Sequence, residues 1–233
     1  MPNLRSSEIA SRLEKVRARI AEAAGRAGHS RADVRLIAVS KTFPLDDIRS
    51  AYDAGQLDFG ENRVQEALPK ILGTADTAIR WHLIGHLQSN KARKAVEMCP
   101  VIHSIDSAEL LRRVDRSAAE AGRTPDVLIQ VDLALEPTKH GAGVDALPGI
   151  LAAARRCTAA RLVGLMLLPP LTENPEDTRV WFRSLREVRD RLVAGDLSIA
   201  LPELSMGMSH DFEVAVEEGA TMVRVGSAIF GSR

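Results

Sequence analysis

Eight times along this chain a short apolar segment alternates with a helix-like one, and that alternation restricts the fold more than any other feature. The apolar segments begin near Val34, Leu57, Ile79, Val101, Val127, Leu162, Glu203 and Thr221. The first, Val34-Arg35-Leu36-Ile37-Ala38-Val39-Ser40, is brief, apolar and partly β-branched, as a strand buried on both faces requires. Between the segments, residues 45–54, 64–72, 89–98, 108–121, 146–155, 178–193 and 212–218 carry helical patterns long enough for crossover connections. Strict alternation predicts a parallel sheet, and eight units predict a closed (β/α)8 TIM barrel, with a doubly wound open sheet as the competing architecture. Leu4, Ile9, Leu13, Val16 and Ile20 recur at helical spacing ahead of the first strand. They predict an extra N-terminal helix, stopped by Gly25 and Gly28, outside the ring or across its bottom. The 233 residues suit one such barrel, a single domain over 1–233.

The charge balance removes several function classes. Lys plus Arg and Asp plus Glu both number 31, so no overall field attracts nucleic acid or anionic lipid, and binding must come from a local site. The basic run Ser89-Asn90-Lys91-Ala92-Arg93-Lys94 reads as a solvated helix face. Cys99 and Cys157 form no CxxC pair and fit a reducing cytosol. His86, His103 and His140 lack ligand spacing, so no metal site is expected. The first fourteen residues are polar, and no apolar run approaches the ~18 residues that cross a bilayer, so a cytoplasmic protein is expected. Nothing marks an obligate interface, which makes a monomer the default.

Chemistry concentrates at strand ends. Lys41 directly follows the first strand, where position alone favours a salt-bridging or snorkelling lysine, but where a barrel lysine also points into the mouth and partial desolvation frees its amine for Schiff-base formation. Two small turns, Ser205-Met206-Gly207-Met208-Ser209 after strand seven and Gly226-Ser227 after strand eight, lie where barrels commonly hold phosphate. Arg224 shares a strand face with Gly226 and needs a partner inside the barrel. That partner is either a ring nitrogen of a cofactor or a core carboxylate such as Asp132 or Glu61. Asn62, after the second strand, suits a hydrogen bond to a ring oxygen, Glu61 can balance a cation, and His82 on the third strand is either a lining residue or a hydrogen-bonded core histidine.

Taken together, these segments resemble the YggS/PROSC family of pyridoxal 5′-phosphate (PLP) binding proteins over nearly the whole chain. The matching pieces are Ala38-Val39-Ser40-Lys41-Thr42, Phe59-Gly60-Glu61-Asn62 with Val64-Gln65-Glu66, and Trp81-His82-Leu83-Ile84-Gly85-His86-Leu87-Gln88-Ser89-Asn90-Lys91. They continue with Val127-Leu128-Ile129-Gln130-Val131, Gly164-Leu165-Met166, the Ser205–Ser209 turn, and the run from Val223 through Gly231. The resemblance implies a fold-type III barrel of the alanine racemase N-terminal-domain kind. It implies PLP held as an internal aldimine on Lys41, Arg224 at the pyridine nitrogen, and Gly226 and Ser227 in the phosphate cup. His210 and the Pro169-Pro170 pair depart from the usual family pattern and fall near the predicted rim.

A racemase needs an acid–base group on each face of its substrate, one being the lysine and the other a tyrosine. The sole tyrosine, Tyr52, falls in the helix after strand one, away from the predicted mouth. The expected function is therefore PLP holding, homeostasis and supply rather than catalysis, with apo PLP-dependent enzymes and free amino acids as partners. A racemase-like enzyme is the alternative, and a cofactor-free Schiff-base aldolase using the same lysine is a third reading.

Overall fold

The computed structural model describes residues 4–28, 30, 33–134, 140–196, 198 and 200–231. Strands Arg35–Val39 (β1), Asp58–Glu61 (β2), Arg80–Leu83 (β3), Val101–Ile105 (β4), Asp126–Val131 (β5), Arg161–Leu167 (β6), Glu203–Ser205 (β7) and Met222–Val225 (β8) pair in sequence order. All the pairs are parallel, and β8 returns to β1 to close the barrel. The open doubly wound sheet is thereby excluded. The strands start within about a residue of where the apolar segments begin.

The helices are Leu4–Arg26 (α1), Leu45–Asp53 (α2), Val64–Gly73 (α3), Ala92–Met98 (α4), Ala108–Ala121 (α5), Leu147–Ala154 (α6), Arg179–Gly195 (α7), Phe212–Glu217 (α8) and Ser227–Phe230 (α9). Ser107 illustrates why they start where they do: its side chain accepts the amide hydrogen of Leu110, so α5 begins one residue later. Gly122, at φ 61, ends α5 in the left-handed conformation that glycine adopts without steric cost. Helix α1 runs through Gly25 to Arg26, so only Gly28, at φ 73, acts as the predicted stop. The interior glycine is carried by packing, since Ala23 and Ala24 beside it are fully buried.

Strand periodicity divides the core. In β5, Val127, Ile129 and Val131 face the helical ring, whereas Leu128 belongs to a separate interior cluster with Val101 and Met166. By the same alternation His82, His103, Ser205 and Arg224 point into the barrel, and all four are buried.

The extra helix lies outside the ring. Its apolar stripe of Ile9, Leu13, Val16 and Ile20 is buried. Polar clamps fix its course across the surface. Arg5 pairs with Asp47 of α2 through two hydrogen bonds of 3.1 and 2.6 Å and donates to the Phe230 carbonyl of α9 at 2.8 Å. Arg19 makes a similar two-pronged pair with Glu213 of α8. These three partners follow β1, β8 and β7, so α1 ties together the elements behind the strand ends singled out by sequence.

Candidate functional site

Lys41 occupies a four-residue turn in which the Phe43 amide donates to the Ser40 carbonyl at 3.0 Å. Neighbouring strands brace this turn. The buried Ser40 hydroxyl donates to Glu61 Oε1 at 2.7 Å, and Lys70 Nζ donates to both Glu61 Oε1 and the Ser40 carbonyl at 2.7 Å. Glu61 thus balances a cation as expected, and that cation is Lys70. Lys41 Nζ has no hydrogen-bond or ion-pair partner among the described residues. Phe43 stacks on Phe230 with centroids 4.9 Å apart, joining the turn to α9.

Thr42 adopts φ 66, a left-handed conformation uncommon for any residue with a Cβ and more so for a β-branched one. Such strain costs about 1 kcal/mol or more and persists only where the surroundings impose it. Thr42→Gly is expected to stabilise the fold by up to about 1 kcal/mol. A chemical-denaturation midpoint measures this, and a destabilised variant would show that the threonine side chain is needed for the turn.

Facing this turn, the loops after β7 and β8 interlock. Gly207 sits at φ 89, and a Cβ there would stand 2.6 Å from Ala215 Cβ and 2.9 Å from Phe212 Cα. Ser209 Oγ accepts the amides of Gly226 at 3.1 Å and Ala228 at 3.4 Å. Asp211, just ahead of α8, accepts the Met208 amide at 2.6 Å.

A cavity of ≈ 700 Å³ opens between these loops. Lys41, Asn62, Ser209, Arg224, Gly226 and Ser227 all line it. His210 and the Pro169-Pro170 pair line it as well, as expected of rim residues.

Other predicted lining residues fall elsewhere. His82 does not reach the cavity: its ring is fully buried inside the barrel, with both nitrogens bonded to Asp58 and His103. Ser205, Met206 and Gly207 are buried and do not line it either; Met206 turns outward into the helical layer, as strand alternation requires. Arg224 has neither Asp132 nor Glu61 as a hydrogen-bond partner. Its guanidinium donates to Ser205 Oγ at 2.6 Å and to the Leu167 carbonyl at 2.8 Å. Burial lowers this arginine to about 10, with the nearby Asp211 charge opposing the shift.

Two further lining groups, Asp211 and His86, have no role assigned from the sequence. Burial pushes the Asp211 carboxyl above its ordinary value. His86 also lines the cavity, stacks on His140 with centroids 3.7 Å apart, and is lowered by burial and by that neighbour. Isolated Asp and His residues have no diagnostic spacing, so only proximity reveals them. Tyr52 is remote, with its hydroxyl accepting the Ala78 amide. Neither cysteine lines the cavity, and burial raises both thiols, Cys99 to about 12 and Cys157 to about 11. Among the described residues no three His, Cys, Asp or Glu side chains are placed to hold a metal, and no helix is long and apolar enough to cross a membrane. The basic run forms a short 3-10 turn, Ser89–Lys91, followed by α4, where Arg93 pairs with Glu97.

Known proteins bear on this geometry. A family model for the alanine racemase N-terminal domain matches residues 11–233. The chain is 44% identical over 222 residues to the pyridoxal phosphate homeostasis protein of Aquifex aeolicus, covering 95% of this chain and 97% of that one. The protein of the same name from Escherichia coli is 40% identical over 236 residues, covering 97% of each. Among solved structures, PipY of Synechococcus elongatus without PLP matches at a TM-score of 0.88 and 43% identity, covering 96% of this chain and 100% of PipY. PipY with PLP bound matches over the same shares at 0.85 and 42%. Alanine racemase of Clostridium difficile, at 12% identity and a TM-score of 0.75, shares the fold alone, with this chain covering 57% of it. The barrel and these relatives together make the chain a member of the pyridoxal phosphate homeostasis protein family, built on the alanine racemase N-terminal domain.

Proposed function

We propose that this chain binds pyridoxal 5′-phosphate covalently through Lys41 and acts in PLP homeostasis, as a holder and supplier of the cofactor. One observation carries the reading. A single cavity at the strand ends joins an unpartnered lysine, a buried arginine and a hydroxyl- and glycine-rich turn. Those groups suit a molecule with an aldehyde, a ring nitrogen and a phosphate. The Ser209 and Ser227 hydroxyls suit the phosphate, and no Cβ obstructs its approach to the backbone at Gly226. Arg224 stays protonated at neutral pH, so it can only donate to a ring nitrogen, which keeps that nitrogen unprotonated. When bound, PLP supplies an electrophilic aldehyde and an electron-accepting ring, and an unprotonated nitrogen weakens the ring as an electron sink. That favours storage over turnover. The PLP bound to PipY and the names of the curated relatives support the same reading.

Titration of the protein with PLP, followed by absorbance, borohydride reduction and peptide mapping, tests it. A visible-range band with the reduced adduct on Lys41 is expected. No band and no adduct would return the chain to the cofactor-free aldolase reading. Ser227→Trp is expected to weaken PLP affinity tenfold or more, since hydrogen bonds to charged groups contribute about 1.5–3 kcal/mol each. Unchanged affinity would remove Ser227 from the phosphate site. Amino-acid turnover assays separate a holder from a racemase-like enzyme, and no turnover is expected. Supply to apo-enzymes in the cytoplasm, by a monomer, completes the proposal.

A further inference from the structure

Behind the cavity, five buried or half-buried groups form a continuous line through the barrel. Arg224 Nη1 lies 2.6 Å from Ser205 Oγ. Ser205 Oγ lies 2.9 Å from His103 Nδ1, and His103 Nε2 lies 2.9 Å from His82 Nδ1. His82 Nε2 lies 2.8 Å from Asp58 Oδ1, at the opposite end of the strands. Ser205, His82 and His103 are fully buried and Arg224 nearly so.

The two ends decide the direction of every bond between them. A guanidinium only donates, so Ser205 Oγ accepts from Arg224. A carboxylate only accepts, so His82 Nε2 carries its hydrogen toward Asp58. Neutral His82 then accepts at Nδ1, from His103 Nε2–H. His103 in turn accepts at Nδ1, from the Ser205 hydroxyl. Each donor is used once and each acceptor is filled. Burial favours the neutral form of both rings and lowers both. The opposite arrangement needs a charged His82 and leaves the Ser205 hydroxyl hydrogen without an acceptor in a buried site, which is costly.

We propose that Ser205, His103, His82 and Asp58 form a one-way hydrogen-bond chain that fixes the Arg224 guanidinium as donor to the ring nitrogen of the cofactor, with Ser205 and His103 as positioning residues. This deepens the PLP-binding reading and rests on it. The chain and the Leu167 carbonyl hold two Arg224 N–H groups against the barrel wall. The head then keeps one orientation, and its remaining donors serve the cavity that Arg224 lines. Ordering the arginine before the ligand arrives lowers the entropic cost of binding.

Multiple-bond 1H–15N correlation spectra of the protein without cofactor test the chain directly. Both histidines are expected to be neutral, protonated on Nε2, with slowly exchanging ring hydrogens. A charged ring or an Nδ1–H tautomer at either residue would overturn the proposal, and this measurement needs no variant. Ser205→Ala is expected to shift the His103 Nδ1 resonance, weaken PLP affinity about tenfold and move the visible band of the bound cofactor. Ser205→Thr, which keeps the hydroxyl, should restore all three. Parent-like affinity and spectrum in Ser205→Ala, with the adduct still on Lys41, would overturn the positioning role while leaving PLP binding intact. If the parent protein formed no adduct at all, the binding reading and the positioning role would fall together. The tautomers would still report the chain itself.

Discussion

Lys41→Ala is expected to abolish the borohydride-stable PLP adduct completely while changing unfolding free energy by no more than about 0.5 kcal/mol, the range usual for substitutions that break no contact. The asymmetry follows from where the lysine sits. Its amine has no partner among the described residues, whereas the turn that carries it is held by Ser40, Glu61 and Lys70. Those bonds survive truncation of the side chain, so the mouth keeps its shape and loses only the amine proposed to form the adduct. The two readouts are peptide mapping after reduction and a urea-denaturation midpoint. An adduct that moved to Lys70 or Lys91 with similar yield would count against the assignment. A loss of several kcal/mol would show that the lysine is structural.

The largest stability effect is expected from Gly164→Ala. In β6, Leu162 pairs with Val127 and Gly164 with Leu128, so Val163 is an extra residue and the strand bulges there. The bulge brings Gly164 so close to β7 that a Cβ would stand 1.9 Å from the Glu203 carbonyl oxygen and 2.7 Å from its carbon. Backbone on a paired strand cannot yield as a flexible side chain can. Glu203 must move, and with it Leu204 and Ser205, which continue the β6–β7 register. That seam is tied onward to β8, since the Thr221 amide donates to the Leu204 carbonyl and the Met206 amide to the Met222 carbonyl, both at 3.0 Å, so a shift of β7 strains a second edge. A cost of about 3 kcal/mol or more is expected, at the upper end for overpacking. The check is a lowered denaturation midpoint at unchanged slope. A loss below about 0.5 kcal/mol would mean that the seam absorbs a methyl group. Because Ser205 moves with the strand, reduced PLP affinity is expected alongside the stability loss.

Part of the site is legible in the order of residues along the chain. Lys41, Ser209, Gly226 and Ser227 directly follow apolar segments, and a barrel delivers strand ends to one face wherever its strands begin. Asn62 follows from the same rule. His82 departs from its expected place for the converse reason. It lies within a strand, where alternation chooses between inside and outside but sets no depth along the barrel axis. Two positions below the mouth, an inward side chain meets His103 and Asp58 rather than a ligand. Ser205 points inward and is taken by His103 and Arg224, whereas Met206 faces the helical layer.

The sequence by itself determined the architecture. Eight apolar segments of strand length, separated by helical ones, bury their faces by pairing in parallel under helices, and that information is local and periodic; that the sheet closes rather than staying open is decided by the β8–β1 pairing. It also singled out strand-end loops that line the cavity, because a barrel brings the residues after its strands to one face. Tertiary structure alone decided the partners. Arg224 settles on Ser205 and a backbone carbonyl rather than on a carboxylate. Glu61 is taken by Lys70, and Asp211 and His86 join the cavity. These choices depend on distances between residues far apart in the chain, such as His103 and Ser205, 102 positions apart. Closure of the barrel sets such distances, and no local pattern encodes them.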